Sequence, residues 1–290
     1  MRFDDFGQSD NIRNRRGEGG SSLGGAGLVG LFYLFRMVFS RFGIIGVVVL
    51  GAGLFFLSGT GLSPLGSNSS GSHEAATSEY DQLVGAVLLS TENVFNDVFQ
   101  EEGLGDYPEP ILNLFAGRIT TRGCGGATSA VGPFYCPADS QVYIDTSFFD
   151  ELSQRFGAPG DFAQAYVIAH EVGHHIQNVT GISDQVRSAQ QRARGDAERN
   201  EYSVRLELMA DCLAGVWAGR TQIQLEQGDI EEALRAAAAI GDDTLQRRSS
   251  GRVVPDSFTH GTSEQRQRWF ATGYQARDMS ACDTLNTDRL

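Results

Sequence analysis

Lysine is absent from this sequence. All 23 basic residues are arginine and stand against 36 acidic residues, so the net charge at pH 7 is −13. A chain this acidic would repel a phosphate backbone, which argues against DNA or RNA as a partner. The 18 Phe, 8 Tyr and 2 Trp residues argue against disorder over the whole length. A chain of 290 residues suffices for one sizeable domain or two small ones.

Charged residues are also missing from a 20-residue stretch, residues 43–62. That length is what a helix needs to cross about 30 Å of hydrocarbon. Arg36 and Arg41 precede the stretch, and cationic residues stay preferentially on the cytoplasmic side of a membrane. We therefore expect one transmembrane helix with its N-terminus inside and the bulk of the chain outside. A buried core helix and a cleaved signal peptide are the alternatives.

This expectation divides the chain into four parts. Residues 1–42 would be a cytoplasmic tail and residues 43–62 the transmembrane helix. Residues 63–78 are rich in Ser and Gly and would be a linker. Residues 79–290 would form the globular domain.

Cysteine is scarce, and its four residues all follow the apolar stretch. An even number on the presumed outer side is typical of an oxidising compartment. Four cysteines allow three pairings, of which we favour Cys124 with Cys136 and Cys212 with Cys282. A four-cysteine zinc site is the alternative, but its usual two-residue spacings are absent.

Helical spacing of apolar residues dominates the predicted domain. A short β-branched and aromatic segment at 141–145 predicts a strand, and 119–129 reads as loop with a short strand. We therefore predict an α+β fold that is mainly helical with a small sheet. The predicted helices cover residues 80–101, 161–180, 182–194, 200–219, about 229–240 and one led by a possible capping box at Thr262–Gln265.

The segment His170-Glu-Val-Gly-His174 is an H-E-x-x-H motif. Positions four apart lie on one face of a helix, so both imidazoles can reach one ion. Glu171 stands beside them and can act on a water held by that ion, because zinc lowers the pKa of a bound water toward 7. The alternative is two histidines on a solvated helix face.

A catalytic zinc needs a third protein ligand, and Glu207 is the best candidate. Glu207 and Asp211 are four residues apart on a helix that is otherwise largely apolar, where acids need partners. Asp211 can accept a hydrogen bond from the outer nitrogen of a ligand histidine. Glu198 and Glu201 are rival ligands, and two ordinary surface acids are the simpler reading.

Two further histidines stand near these motifs. His175 is rotated about 100° from His174, so we expect it to point away from the ion. His260 lies in a polar loop before the last predicted helix. It is either a donor to an oxyanion that develops during the reaction or an ordinary loop histidine.

These motifs together resemble one family. HEVGHHIQNVTG, ELMADCLAGVWAG, DSFTHGTSEQR and AVGPFYCPADSQVYID are similar to segments of the bacterial neutral zinc metallopeptidases of the YpfJ type, over nearly the whole chain. The resemblance implies a zincin-like fold with a Glu ligand, as in the gluzincins. It implies Zn²⁺ on His170, His174 and Glu207, with Glu171 as general base and Asp211 behind a ligand.

The expected function is that of a zinc metallopeptidase anchored in the bacterial inner membrane, with its catalytic domain on the periplasmic side. Its substrate would be a peptide or protein. Zincins usually pair an extended substrate with the edge strand beside the active-site helix, and residues 141–145 are the candidate strand. A non-catalytic zinc-containing peptide-binding module and a zinc hydrolase of a non-protein amide remain as alternatives.

Overall fold

The computed structural model describes residues 1–18 and 70–290. Helices dominate this part of the chain beside a small sheet, as the α+β prediction requires. The predicted transmembrane segment 43–62 lies outside the described residues. Within 1–18 and 70–290, no helix combines the length and apolar character that a membrane crossing requires.

The elements are numbered in chain order. The strands are β1 Ile12–Asn14, β2 Ile111–Phe115, β3 Arg118–Thr120, β4 Gly126–Thr128, β5 Phe134–Cys136 and β6 Gln141–Asp145. The helices are α1 Ser70–Glu101, α2 Ser147–Gln154, α3 Asp161–Val179, α4 Ile182–Arg192, α5 Asp196–Arg220, α6 Asp229–Ala239, α7 Asp242–Ser250 and α8 Ser263–Ala276.

The main sheet has the strand order β1-β2-β6-β5. Strands β1, β2 and β6 run parallel, whereas β5 is antiparallel to β6. All five residues of β6 are buried, because β6 has a neighbour on each side. The prediction of a strand at 141–145 is therefore confirmed, but the expectation that it is an edge strand is wrong. The edge on that side is β5, and β3 and β4 form a separate hairpin.

The first residues of the chain are part of this domain. β1 extends the sheet, with Ile12 beside Leu112 in the register, and the α-amino group of Met1 donates to Asp161 and Asp229. Residues 1–19 and 75–290 form one compact unit. Residues 1–18, predicted as part of a separate tail, therefore pack into the domain. The cytoplasmic location of residues 1–42 stays a prediction.

Several element boundaries also differ from the predicted ones. Helix α1 begins at Ser70, so residues 70–78 are helical rather than linker. Gly160 and Gly228 take the N-cap positions of α3 and α6. The capping box at Thr262 is confirmed, because its side chain accepts from the backbone of Gln265 and the Gln265 side chain accepts in return.

Helices α3, α5 and α8 pack closely at two glycines. A Cβ atom on Gly173 of α3 would lie 3.0 Å from both Cα and O of Ala210 on α5. A Cβ atom on Gly273 of α8 would overlap the carbonyl oxygen of Cys212. Both predicted disulfides form, and the bond from Cys212 to Cys282 fastens the C-terminal segment to α5. The motif-bearing faces of α3 and α5 therefore meet directly.

Candidate metal centre

The two motif histidines share one face of α3 and converge on a side chain of α5. Nε2 of His170 lies 3.2 Å from Oε2 of Glu207, and Nε2 of His174 lies 3.5 Å from Oε1 of the same carboxylate. One ligand atom from each of the three residues falls within 4.8 Å of the other two. The close helix contact at Gly173 permits this convergence of ligand atoms, because it lets α5 approach α3 about one turn from Glu207.

The three side chains fit a zinc ion. Two imidazole nitrogens and one carboxylate oxygen are a known ligand set of catalytic zinc. Ligand atoms about 2.1 Å from a tetrahedral ion are about 3.4 Å apart, which is close to the distances between these groups. Glu198 and Glu201, the rival ligands, lie elsewhere: Glu198 accepts from the backbone of Arg194, and Glu201 pairs with Arg205.

Asp211 fixes the orientation of His170. Its Oδ1 accepts a hydrogen bond of 2.8 Å from Nδ1 of that ring, so Nε2 faces the centre. Arg266 of α8 holds the other side of Asp211 with bonds of 2.8 Å from Nε and 2.9 Å from Nη2. The hydroxyl of Tyr166 also donates to Asp211. Asp211 is fully buried, and the Arg266 guanidinium and His170 outweigh the effect of burial and lower its pKa.

His174 is oriented by a different group. Its Nδ1 lies 2.9 Å from Oε1 of Gln177, one turn further along α3. Gln177 is fixed in turn because its Nε2 donates to the carbonyl of Leu206, next to Glu207. Each ligand histidine therefore has an oxygen partner on its outer nitrogen, as ligand histidines in metal sites usually have.

The charges of the centre depend on one another. Burial alone would lower the pKa of His170, but Asp211 and Glu207 outweigh it and raise that pKa to about 10. Burial alone would raise the pKa of Glu207, but His174 and His170 hold it well below its usual range. The carboxylate of Glu207 is therefore ionised at neutral pH, which is the form that binds a cation.

Glu171 lies beside the ligands and lines the same cleft. It is buried, with 7% of its surface exposed. Burial raises the pKa of Glu171, and the neighbouring His174 and His170 oppose that effect. A carboxylate whose pKa moves toward neutrality is suited to take up a proton and release it again.

His260 lines the cleft from the side of α7 and α8. Its side chain is 49% exposed, and its Nδ1 lies 3.3 Å from Oδ1 of Asp242. Asp242 also accepts backbone hydrogen bonds from Thr259, His260 and Gly261. The hydrogen bond with Asp242 is the main cause of the raised pKa of His260. The sequence left open whether His260 is an oxyanion donor or an ordinary loop histidine. In the structure, His260 lies at the cleft and has a carboxylate partner, Asp242.

The centre forms one wall of a cleft of about 650 Å³. Segment 129–135, Phe148 and Phe156 also line this cleft. Strand β5 contributes to the lining through Phe134 and Tyr135. The edge strand beside the active-site helix is therefore β5.

The sequence analysis did not predict four polar residues of this site: Tyr166, Gln177, Asp242 and Arg266. Arg266 carried a usable signal. It lies three and four residues before Trp269 and Phe270, on the apolar face of α8, where a charge needs a partner. Gln177 and Asp242 carried no comparable signal, because they act through neighbours that only the tertiary structure supplies.

A second acidic group lies at the start of α3 and α6, formed by Asp161, Asp229 and Glu232. The α-amino group of Met1 lies 3.0 Å from Asp161 and 3.2 Å from Asp229. A positive charge therefore already occupies this group, and it adds no second candidate for a metal.

Comparisons with known proteins agree with the geometry. The family described as "Putative neutral zinc metallopeptidase" matches residues 1–285. The uncharacterized protein YpfJ of Escherichia coli strain K12 is 48% identical, over 98% of this chain and 99% of its own length. The uncharacterized protein Rv2575 of Mycobacterium tuberculosis strain H37Rv is 45% identical, over 71% of this chain and 72% of its own length. No solved structure matches.

Proposed function

This chain belongs to the family of neutral zinc metallopeptidases, and on that premise we propose that it hydrolyses peptide bonds at a zinc ion held by His170, His174 and Glu207. The observation that carries the proposal is the convergence of these ligand atoms within 4.8 Å, beside Glu171 in a cleft. A purely structural zinc site has no use for such a base, which favours an enzyme over a binding module.

Zinc, when bound, would polarise the scissile carbonyl and make water a better acid. Glu171 accepts a proton from the attacking water as the oxygen–carbon bond forms. It then delivers that proton to the nitrogen of the amine as the carbon–nitrogen bond breaks. Burial raises the pKa of Glu171. This brings the proton affinity of its carboxylate closer to those of the groups with which it exchanges the proton, which suits both steps.

His260 lines the same cleft and would support the same reaction. Asp242 favours the protonated imidazole, and a protonated imidazole can donate a hydrogen bond to negative charge that develops on the carbonyl oxygen. We propose this oxyanion role for His260, with Asp242 as the group that holds its ring.

An extended substrate would pair with β5. This strand has β6 on one side only and lines the cleft beside α3. Backbone pairing at a sheet edge provides affinity with little dependence on substrate sequence.

The compartment is also part of the proposal. Two disulfides favour an extracytoplasmic location for the domain, because thiols in the cytosol stay reduced. We further propose that residues 43–62 contribute to membrane attachment. Carbonate extraction of membranes, followed by thiol labelling without reduction, tests both points.

The deciding experiment combines metal analysis with cleavage of a peptide library. It uses the full chain, because a fragment that starts near residue 79 would lack β1. We expect about one zinc per chain and cleavage that stops with a chelator and returns with zinc. Bound zinc without turnover of any peptide would contradict the proposal. Release of an amine from a non-peptide amide alone would identify a hydrolase of another bond.

A further inference from the structure

The histidine that follows the second ligand has no part in the proposed chemistry, yet it is almost completely buried. His175 is 2% exposed and points away from the centre. Its Nε2 donates to the carbonyl oxygen of Pro108, because a carbonyl can only accept. Its Nδ1 must therefore be the acceptor, and it lies 3.1 Å from the hydroxyl of Tyr135.

The Tyr135 hydroxyl completes a chain of matched donors and acceptors. It donates to Nδ1 of His175 and accepts from Nδ2 of Asn178 at 2.9 Å. The rings of Tyr135 and His175 also meet edge to face, with centroids 5.5 Å apart. Two residues of α3 thus hold one cleft-lining side chain of β5.

Tyr135 is the middle residue of β5, which has only three residues and a single neighbouring strand. Such a short edge strand has few hydrogen bonds of its own to fix its position. The helix that holds it is the one that carries His170 and His174. Besides its pairing with β6 and the disulfide from Cys136 to Cys124, β5 is therefore held near the metal ligands by His175 and Asn178, which follow His174 on α3.

We propose that His175 and Tyr135 are positioning residues that tie β5 to α3 and so fix the width of the substrate cleft. The inference rests on the proposed peptidase function and names the groups that hold its substrate-binding strand. The hydrogen bond between Tyr135 and His175 affects the binding of substrates that are long enough to pair with β5. It leaves the zinc ligands and the proton transfers of Glu171 unchanged.

The test is Tyr135→Phe in the full chain, which removes the hydroxyl and keeps the ring. We expect KM for an extended peptide of about eight residues to rise about threefold to tenfold, as for the loss of one hydrogen bond. We expect kcat, zinc content and cleavage of a minimal dipeptide amide to change less than about twofold. Tyr80→Phe is the matched control, because the Tyr80 hydroxyl bonds to Asp150 outside the cleft lining.

A double-mutant cycle with His175→Phe separates the tie from general destabilisation. If the hydroxyl acts through His175, Tyr135→Phe raises KM less in that variant than in the parent, because only the bond from Asn178 is left to lose. Provided that the parent chain cleaves peptides, an unchanged KM in Tyr135→Phe would overturn the inference. An equal loss of activity toward the extended peptide and the minimal dipeptide amide would overturn it as well. Failure of the zinc-loaded parent to cleave any peptide would instead overturn the proposed function.

Discussion

Nδ1 of His170 donates to Asp211 across 2.8 Å, from one buried helix to another. This bond leaves Nε2 of the ring free to face Glu207 and determines which nitrogen is available as a ligand. It also explains why a second acid follows Glu207 by four residues. Glu207 reaches the metal centre, and Asp211, one helical turn later, holds the ring of His170.

Replacing that second acid should weaken metal binding without removing a ligand. We expect Asp211→Asn to lower zinc affinity about 10- to 100-fold, the usual effect of losing a partner behind a ligand histidine. Competition with a zinc-binding dye measures it. Asp184→Asn is the control, because Asp184 is exposed and pairs with Arg187. Equal zinc affinity in both variants would contradict the role of Asp211.

Glu171→Gln should separate metal binding from catalysis. The amide keeps the size of the side chain but cannot accept the proton of the attacking water. We expect unchanged zinc content and a kcat at least about 100-fold lower, measured on the most rapidly cleaved library peptide. Retained turnover in a preparation free of other proteases would rule out the base.

Arg266→Met should destabilise the fold, because it leaves the Asp211 carboxylate buried without its guanidinium. Breaking a buried pair on one side costs about 3–5 kcal/mol, and urea unfolding of the metal-free chain would measure the loss. In the double variant with Asp211→Asn, the cost should be smaller than the sum of the two single changes. Simple additivity would show that the two residues do not act as a pair.

His260 and Asp242 should make stability depend on pH. The pKa of His260 is raised in the folded chain, so the contact stabilises fully below the ordinary histidine pKa of about 6.5 and is lost as pH rises through the raised value. We expect the melting temperature of the parent to exceed that of His260→Gln most at about pH 6, with the gap closing as pH rises through the raised pKa of His260. Chelator in both samples removes any effect of zinc. A gap that does not vary with pH would contradict the ion pair.

Deleting residues 1–18 should destabilise the domain. The deletion exposes the edge of β2, including its bond from Leu112 to Asn11, and removes the amino group that bridges Asp161 and Asp229. We expect a lower urea midpoint and partial recovery when a synthetic peptide of residues 1–18 is added. Unchanged stability would show that these residues contribute nothing to the domain.

The sequence by itself determined the features that depend on local spacing. A four-residue interval places His170 beside His174, and Glu207 beside Asp211, on any α-helix. The apolar periodicity around them located α3 and α5 within a few residues. The sequence favoured one of three cysteine pairings, and the tertiary structure decided it.

Only the tertiary structure decided what depends on distant segments. Residues 12–14 pair with 112–114 across almost one hundred residues, and no local pattern distinguishes a three-residue strand from a tail. The same limit hid the interior position of β6, the edge position of β5 and the bond from Arg266 to Asp211. A helix fixes its own faces through bonds four residues apart, whereas a strand finds its neighbours only when the chain folds back upon itself.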